Sequence, residues 1–274
     1  MKKVQYLLLI LLLWSSGGCN PEAKVDTQQK NIFQVTKNES SYESFWKVGN
    51  ENKFIMNLAI NHSADMNIQK EDFKSIELLP ATNIVKVEGF NMEKNTPLPD
   101  LQQKGFFIYA ITQATGKHTF HKIVFHSKDG NKKELDIGNL TINVHDGIYS
   151  GIQPLTKGAG VFSKTRPLIL NASNENDYPV KVTGVLINNP NIKFTDSDIK
   201  VTLNGKEQLF SKGGYILKPK EQLPIQINWE VVPPPNQILN IDVRPLIVSE
   251  YKGKVEYADI PNMVFRNDFS EDKP

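Results

Sequence analysis

Cysteine occurs once in the 274 residues, at Cys19. An intramolecular disulfide, a cysteine-rich zinc site and an iron–sulfur cluster are therefore excluded. Stability has to come from packed cores, for which 39% apolar residues suffice in one large or two modest domains. Arginine is nearly as scarce: Arg166, Arg244 and Arg266 are the full complement. That disfavours a site that clamps anions with bidentate guanidinium forks. Net charge is missing too. The formal +2 belongs to Lys2 and Lys3, and without them basic and acidic residues balance at 30 each. No basic face is expected to displace counterions from phosphates, so nucleic acid is not an expected partner.

Catalytic motifs are also wanting. No HExxH occurs, and no nucleophile elbow. The pair Gly158 and Gly160 lacks the rest of a phosphate loop, and Asp196 and Asp198 lack the glycine and distal glutamate of an EF-hand. The expectation is a protein that is not an enzyme and carries no cofactor.

The amino-terminal segment carries the strongest positive signal. Met1, Lys2 and Lys3 form a cationic start, and no charge follows from Val4 to Gly18. As a helix this uncharged stretch reaches about 22 Å, short of a hydrocarbon core of roughly 30 Å, so it reads as a secretory signal peptide rather than a permanent span. It closes in Ser15, Ser16, Gly17, Gly18, Cys19. This ending resembles the lipobox of bacterial lipoprotein precursors, with Ser16 standing where that motif usually has leucine. The resemblance implies cleavage between Gly18 and Cys19 and lipidation of Cys19, with a diacylglycerol whose two chains hold a bilayer where one chain binds only marginally. Ser16 and Gly18 also satisfy the small-x-small rule of ordinary signal cleavage, which would cut the same bond and leave a free thiol. The expected location is extracytoplasmic, lipid-anchored to the bacterial cell membrane.

Residues 19–31 read as a flexible tether, with Pro21, Gln28 and Gln29 and no apolar periodicity. As a coil it reaches about 20 Å, enough to lift the folded part clear of lipid headgroups.

From there the pattern is strands. Phe54, Met56, Leu58 and Ile60 recur at period two, and runs follow at Phe73 to Leu79, Ile84 to Phe90, Phe106 to Gln113, His118 to Ser127 and Glu134 to Val144. The second half offers Pro167 to Asn171, Val180 to Ile187, Ile199 to Leu203, Gln208 to Phe210, Leu223 to Val232, Ile238 to Val248 and Lys254 to Asp259. Asp129–Gly130, Asn204–Gly205 and, more weakly, Lys252–Gly253 signal hairpins. Trp229 reads as a core residue, and no amphipathic helix of three turns is evident. The expected fold class is all-β, with two β-sandwiches at residues 32–146 and 147–268 and a polar tail at 269–274. The pattern resembles tandem immunoglobulin-like or fibronectin-like sandwiches of bacterial surface proteins, without the Cys–Trp–Cys spacing of true immunoglobulin domains.

Two constellations are candidate sites. Imidazoles are common metal ligands, and His62, His118, His121, His126 and His145 all fall in the first half. On a strand His118 and His126 share a face about 26 Å apart while His121 points the other way. A two-residue loop at Asp129–Gly130 would set His145 opposite Ala114, roughly 13 Å from His118. Ligands of one zinc lie within about 4 Å of each other, so the set converges only if a bulge intervenes. The second constellation is aromatic. Tyr42, Phe45 and Trp46 form either an exposed platform for sugar rings or a partner protein, or a cap on the first core. Tyr251 and Tyr257 flank a hairpin where peptides dock in other sandwiches.

The resulting expectation is a membrane-anchored, non-catalytic binding or scaffolding module for an envelope protein or a wall polymer. The alternative is a metal-handling lipoprotein using His118, His121, His126 and His145. The solute-binding lipoprotein of a transporter is disfavoured, because its lobes usually alternate helices and strands.

Overall fold

The structure, a computed structural model, describes residues 32–97, 101–155, 160–162, 166–232 and 239–266. Gly18, Cys19, the leader, the tether and the polar tail lie outside the described residues. Among those described, every regular element is a strand except two single 3-10 turns, Lys70–Asp72 and Asp196–Asp198. The chain is all-β.

The first half supplies β1 (Phe33–Val35), β2 (Lys37–Lys47), β3 (Asn50–Glu51), β4 (Lys53–His62), β5 (Phe73–Leu79), β6 (Val85–Pro97), β7 (Gln102–Thr112), β8 (Gly116–Ser127) and β9 (Lys132–Asp146). Next come β10 (Ile148–Tyr149), β11 (Ile152–Pro154), β12 (Gly160–Phe162), β13 (Leu168–Asn174), β14 (Val180–Leu186), β15 (Ile192–Lys193) and β16 (Ile199–Leu203). The last are β17 (Lys206–Leu209), β18 (Tyr215–Leu217), β19 (Gln222–Ile227), β20 (Glu230–Val231), β21 (Leu239–Arg244), β22 (Leu246–Tyr251), β23 (Lys254–Asp259) and β24 (Met263–Arg266).

A four-stranded sheet, β1-β4-β7-β6, faces the part of a larger sheet formed by β2, β9, β8 and β5. The alternation in β4 drives this packing. Phe54, Met56, Leu58 and Ile60 point inward to meet Phe106 and Ile108 of β7, and Phe120, Phe125, Leu140 and Ile142 of the opposing sheet. Enclosing each such side chain contributes roughly 1.5–3 kcal/mol. In the second half, the sheets β10-β23-β22-β14-β18 and β11-β13-β19-β16-β17 enclose another core around Leu170, Val182, Ile225 and Ile247. Trp229 belongs to that core, and its indole N–H donates to the Arg166 carbonyl at 2.5 Å. One cluster draws on residues 33–144 and another on 152–265, and a third joins Phe45 to Leu246 and Tyr257.

One sheet nevertheless crosses between the two cores. Its order is β12-β24-β21-β2-β9-β8-β5, with β3 added on β2, and the crossing is the parallel pairing of β2 with β21. Strand β2 was not expected from the sequence, which reads Lys-Asn-Glu-Ser-Ser-Tyr-Glu-Ser and shows no apolar alternation. A strand with parallel neighbours on both sides is normally apolar, because both of its faces are covered. Here Asn38, Ser40, Ser41, Glu43 and Ser44 are all buried. Most are satisfied by specific partners. Asn38 donates to the carbonyls of Thr36 and Ile137, Ser41 accepts from Asn189, and Glu43 accepts from Asn143. Hydrogen bonding in place of apolar area is why the pattern was silent.

The turn chemistry explains where the strands fold back. Asn204 and Gly205 both adopt positive φ between Leu203 and Lys206, which pair directly, and Lys252 and Gly253 do the same between Tyr251 and Lys254. These are two-residue hairpins of the expected kind. The Asp129–Gly130 hairpin is longer. Only Gly130 has positive φ, Ser127 N–H donates to the Asn131 carbonyl, and His126 pairs with Lys132. Beyond a bulge at His121 the register steps by two, so His118 pairs with Ile142. The bulge is made by Gly138 at φ +75, which passes against the backbone of Asn38.

Candidate binding groove

Strand β21 reads Leu-Asn-Ile-Asp-Val-Arg, alternating apolar and polar residues. Ile241 and Val243 enter the second core. The opposite face carries Asn240, Asp242 and Arg244, which alternation on a solvated strand would expose, yet all three are buried. They are covered by the first half of the chain, at the edge of β4: Asp242 meets Tyr42 and the Asn57 backbone, and Arg244 stands over Phe54. Odd-numbered residues of β4 and β7 approach this face, and Asn57 makes the bridge: its side-chain amide donates to Asp242 Oδ2 at 2.6 Å.

A cleft opens on each side of that bridge. The larger, of about 690 Å³, is lined by Ile55, Phe107 and Tyr109 on one wall and by Tyr149, Pro154, Arg244, Asp259 and Asn262 on the other. The smaller, of about 350 Å³, is lined by Glu93, Gln103, Phe107, Asn240, Asp242 and Arg266 among others. Asn57 and Phe107 line both, so the two are halves of one groove. Ile55, Tyr109 and Tyr149 are 42%, 39% and 43% exposed, an unusual set of apolar surfaces to leave facing solvent in one place.

The floor is polar and mostly self-satisfied. Asp242 Oδ2 accepts from the Tyr42 hydroxyl at 2.5 Å, from Asn57 and from Asn262 Nδ2 at 3.2 Å, while its backbone N–H donates to Ser40 Oγ at 2.9 Å. Burial pushes the Asp242 carboxyl up to about 6, against the lowering effect of the Tyr42, Asn57 and Asn262 hydrogen bonds. Burial, and then the charge of Asp242, holds the Tyr42 hydroxyl well above its ordinary value. Arg244 forms an ion pair with Asp259, donates from Nη1 to the Glu43 carbonyl at 2.6 Å, and stands 5.2 Å from the centre of the Phe54 ring. Burial lowers its pKa, and Asp259 opposes that shift. Arg266 Nη1 donates to Gln103 Oε1 at 2.6 Å.

Tyr42 reaches this groove through its hydroxyl on Asp242, and the other described residues expected from the sequence fall elsewhere. Tyr42 and Phe45 are buried and form no exposed platform, because β2 holds them inside the shared sheet. Trp46 is half-buried against the first core. Phe45 stacks on Tyr257, itself buried, with ring centres 5.9 Å apart. Tyr257 therefore offers no open edge, and Tyr251 is stacked on Tyr178 at 4.0 Å. The bulge expected to be needed for histidine convergence is present, yet the rings stay apart in separate contacts. His118 Nε2 lies 2.8 Å from the Pro80 carbonyl, His121 Nδ1 3.3 Å from that of Gly138, and His126 Nε2 3.6 Å from Glu77. His145 Nε2 lies 2.7 Å from Glu43 Oε2. Among the described residues, no three His, Cys, Asp or Glu side chains gather as a metal site. The groove residues Asn57, Tyr109, Tyr149, Asn240 and Asp242 were not foreseen. The trace of Asn240 and Asp242 in the sequence is the alternation of β21, and that of Asn57 the alternation of β4, both of which also fit an ordinary half-solvated strand.

No protein-family model matches the chain, and no curated protein does. Similar solved structures include a protein of unknown function from Porphyromonas gingivalis, at 11% identity and a TM-score of 0.27, covering 85% of this chain and 99% of that one. Fibronectin(III)-like modules of Clostridium thermocellum CbhA align at 12% identity and a TM-score of 0.23, over 89% of this chain and 99% of theirs. The cadherin-like domains 1 to 4 of zebrafish RET align at 10% and 0.26, over 86% of this chain and 51% of theirs. Scores this low carry no argument about function.

Proposed function

We propose that the protein is a lipid-anchored, extracytoplasmic binding module, held to the bacterial membrane through Cys19, whose immunoglobulin-like sandwiches present the groove to a component of the cell envelope. The observation that carries this reading is the groove itself. A cleft of about 690 Å³ with Ile55, Tyr109 and Tyr149 on its walls and a few convergent polar groups on its floor has the character of a ligand site. The shared sheet supports the reading, because the pairing of β2 with β21 joins the two cores whose strands carry the walls and so preorganises the groove. A wall polymer suits a groove open along its length, and the tether length suits a body standing just above the lipid.

Two measurements test this. Cys19→Ala should move the protein from the membrane fraction to the medium, and retention would refute the anchor. The mature protein should co-sediment with purified insoluble cell wall and lose that association in the double variant Tyr109→Ala, Tyr149→Ala. Unchanged sedimentation would refute the groove as the site.

A further inference from the structure

Resting on that reading, we infer that the groove takes a neutral carbohydrate chain, with sugar rings laid on Tyr109 and Tyr149 and hydroxyl groups donated to Asn240 and Asp242. Two oxygens carry the argument. Asn240 Oδ1 and Asp242 Oδ1 are buried and have no hydrogen-bond partner among the described residues. Both residues are more than nine-tenths buried, both line the smaller cleft, and as alternate residues of β21 they share one face. The other carboxylate oxygen of Asp242 is already taken by Tyr42, Asn57 and Asn262. A buried acceptor left empty costs free energy, so this pair calls for a ligand that brings donors.

Charge narrows the class. Arg244 is neutralised by Asp259, Lys53 lies 3.5 Å from Glu88, and Arg266, hydrogen-bonded to Gln103, shares its cleft with the carboxyl groups of Glu93 and Asp242. Asp259 also accepts from Asn52 at 2.9 Å. The cations are spoken for within the protein, which disfavours a polyphosphate chain, since such a ligand needs a surplus of positive charge. Hydroxyl groups supply donors without charge.

Shape narrows it further. Strand β7 is paired on both sides, and β4, which β1 covers only at residues 60–62, is capped along its remaining edge by side chains: Tyr42 takes the Asn57 N–H and Asn262 the Ile55 carbonyl. An extended peptide adding to that edge would have to displace both side chains before it could pair its own amides. Sugar rings bring apolar faces and peripheral hydroxyls, which match rings set beside amides. Tyr149 is fixed for that role, its hydroxyl donating to the Ile152 carbonyl at 3.1 Å while 43% of the residue stays exposed. On the opposite wall Glu93 lies over Gly105, where a Cβ would come 2.5 Å from Glu93 Oε2. The absence of a side chain at Gly105 thus lets that carboxylate fold against the sheet.

The test is calorimetric titration of the mature protein with three neutral tetrasaccharides, of N-acetylglucosamine, glucose and mannose, and with polyglycerol phosphate and an unstructured peptide as contrasts. Binding of at least one tetrasaccharide with a millimolar or tighter Kd, weakened about tenfold by Tyr149→Ala and by Asn240→Ala, is expected. Tyr149→Ala removes an exposed ring, so it also serves if Asn240→Ala fails to fold. No heat with any tetrasaccharide at about 10 mM, or binding that Tyr149→Ala leaves unchanged, would overturn the inference, as would preference for the polyanion or the peptide. If these titrations fail while wall sedimentation still depends on Tyr109 and Tyr149, the carbohydrate assignment is wrong and the binding module stands. Loss of both removes both.

Discussion

The Tyr42 hydroxyl donates a hydrogen bond of 2.5 Å to Asp242 Oδ2, joining two fully buried side chains that lie 200 residues apart in the chain. The same hydroxyl accepts the Asn57 backbone N–H at 3.0 Å. One phenol thus ties together β2, β4 and β21, the strands on which the groove is built. Tyr42→Phe keeps the ring and removes both bonds. It should cost about 1–3 kcal/mol in denaturant unfolding, because a buried carboxylate and a buried amide lose a partner. A change within error would show that the contact is incidental.

Asp242 should impose a pH dependence of defined sign. Its carboxyl is raised from 3.8 to about 6, so between those values the folded state binds the extra proton. Stability from this group is full below the unfolded value and declines as pH rises through about 6, by about 3 kcal/mol in all. The groups facing it are Tyr42 from β2, Asn57 from β4, Asn262 from the loop before β24 and Arg244 on its own strand. Asp242→Asn cannot titrate. The difference in stability between the natural protein and this variant should therefore shift against the natural protein from pH 4 to pH 7, and a flat difference would contradict the assignment.

Arg244→Ala removes the guanidinium from Asp259 and from the Glu43 carbonyl. Breaking a fully buried pair typically costs 3–5 kcal/mol. The Asp259 side chain keeps 39% of its exposure, so about 2–3 kcal/mol is expected here, with the double variant Arg244→Ala, Asp259→Ala recovering part of it. Strictly additive losses in the double-mutant cycle would show that the pair is uncoupled.

Gly138 permits the bulge that lets β9 pass β2. Its φ is +75, and a Cβ there would sit 2.4 Å from the Asn38 carbonyl oxygen, against backbone that cannot yield cheaply. Gly138→Ala should destabilise by about 2–4 kcal/mol, while Gly205→Ala, at φ +73 in open space, should cost only the backbone strain of about 1–2 kcal/mol. Equal losses at both sites would mean that the close approach is unimportant.

Much of the fold was legible because period-two alternation reports a half-buried strand directly. Phe73–Leu79 and Lys254–Asp259 form strands with the bounds their patterns indicate, and the Asn204–Gly205 and Lys252–Gly253 turns close as their positive φ requires. The run from Ile238 to Val248 instead breaks at Pro245 into β21 and β22, which join different sheets. What alternation could not report is burial of polar groups. Strand β2 is buried through serines, Asn38 and Glu43, and Asn240, Asp242 and Arg244 are covered by a wall that arrives from the other half of the chain. Whether a polar face meets water or other polar groups is decided by contacts such as Asn57 to Asp242, 185 residues apart, and no local pattern encodes them.

The most direct test of the account is photocrosslinking in living cells from a photoreactive residue placed at Ile55, inside the groove, compared with one at Ile216, which is 70% exposed and outside the groove lining. The account predicts adducts with cell-wall material from position 55 and none from position 216. Adducts from position 216 alone, or equally from both, would contradict it.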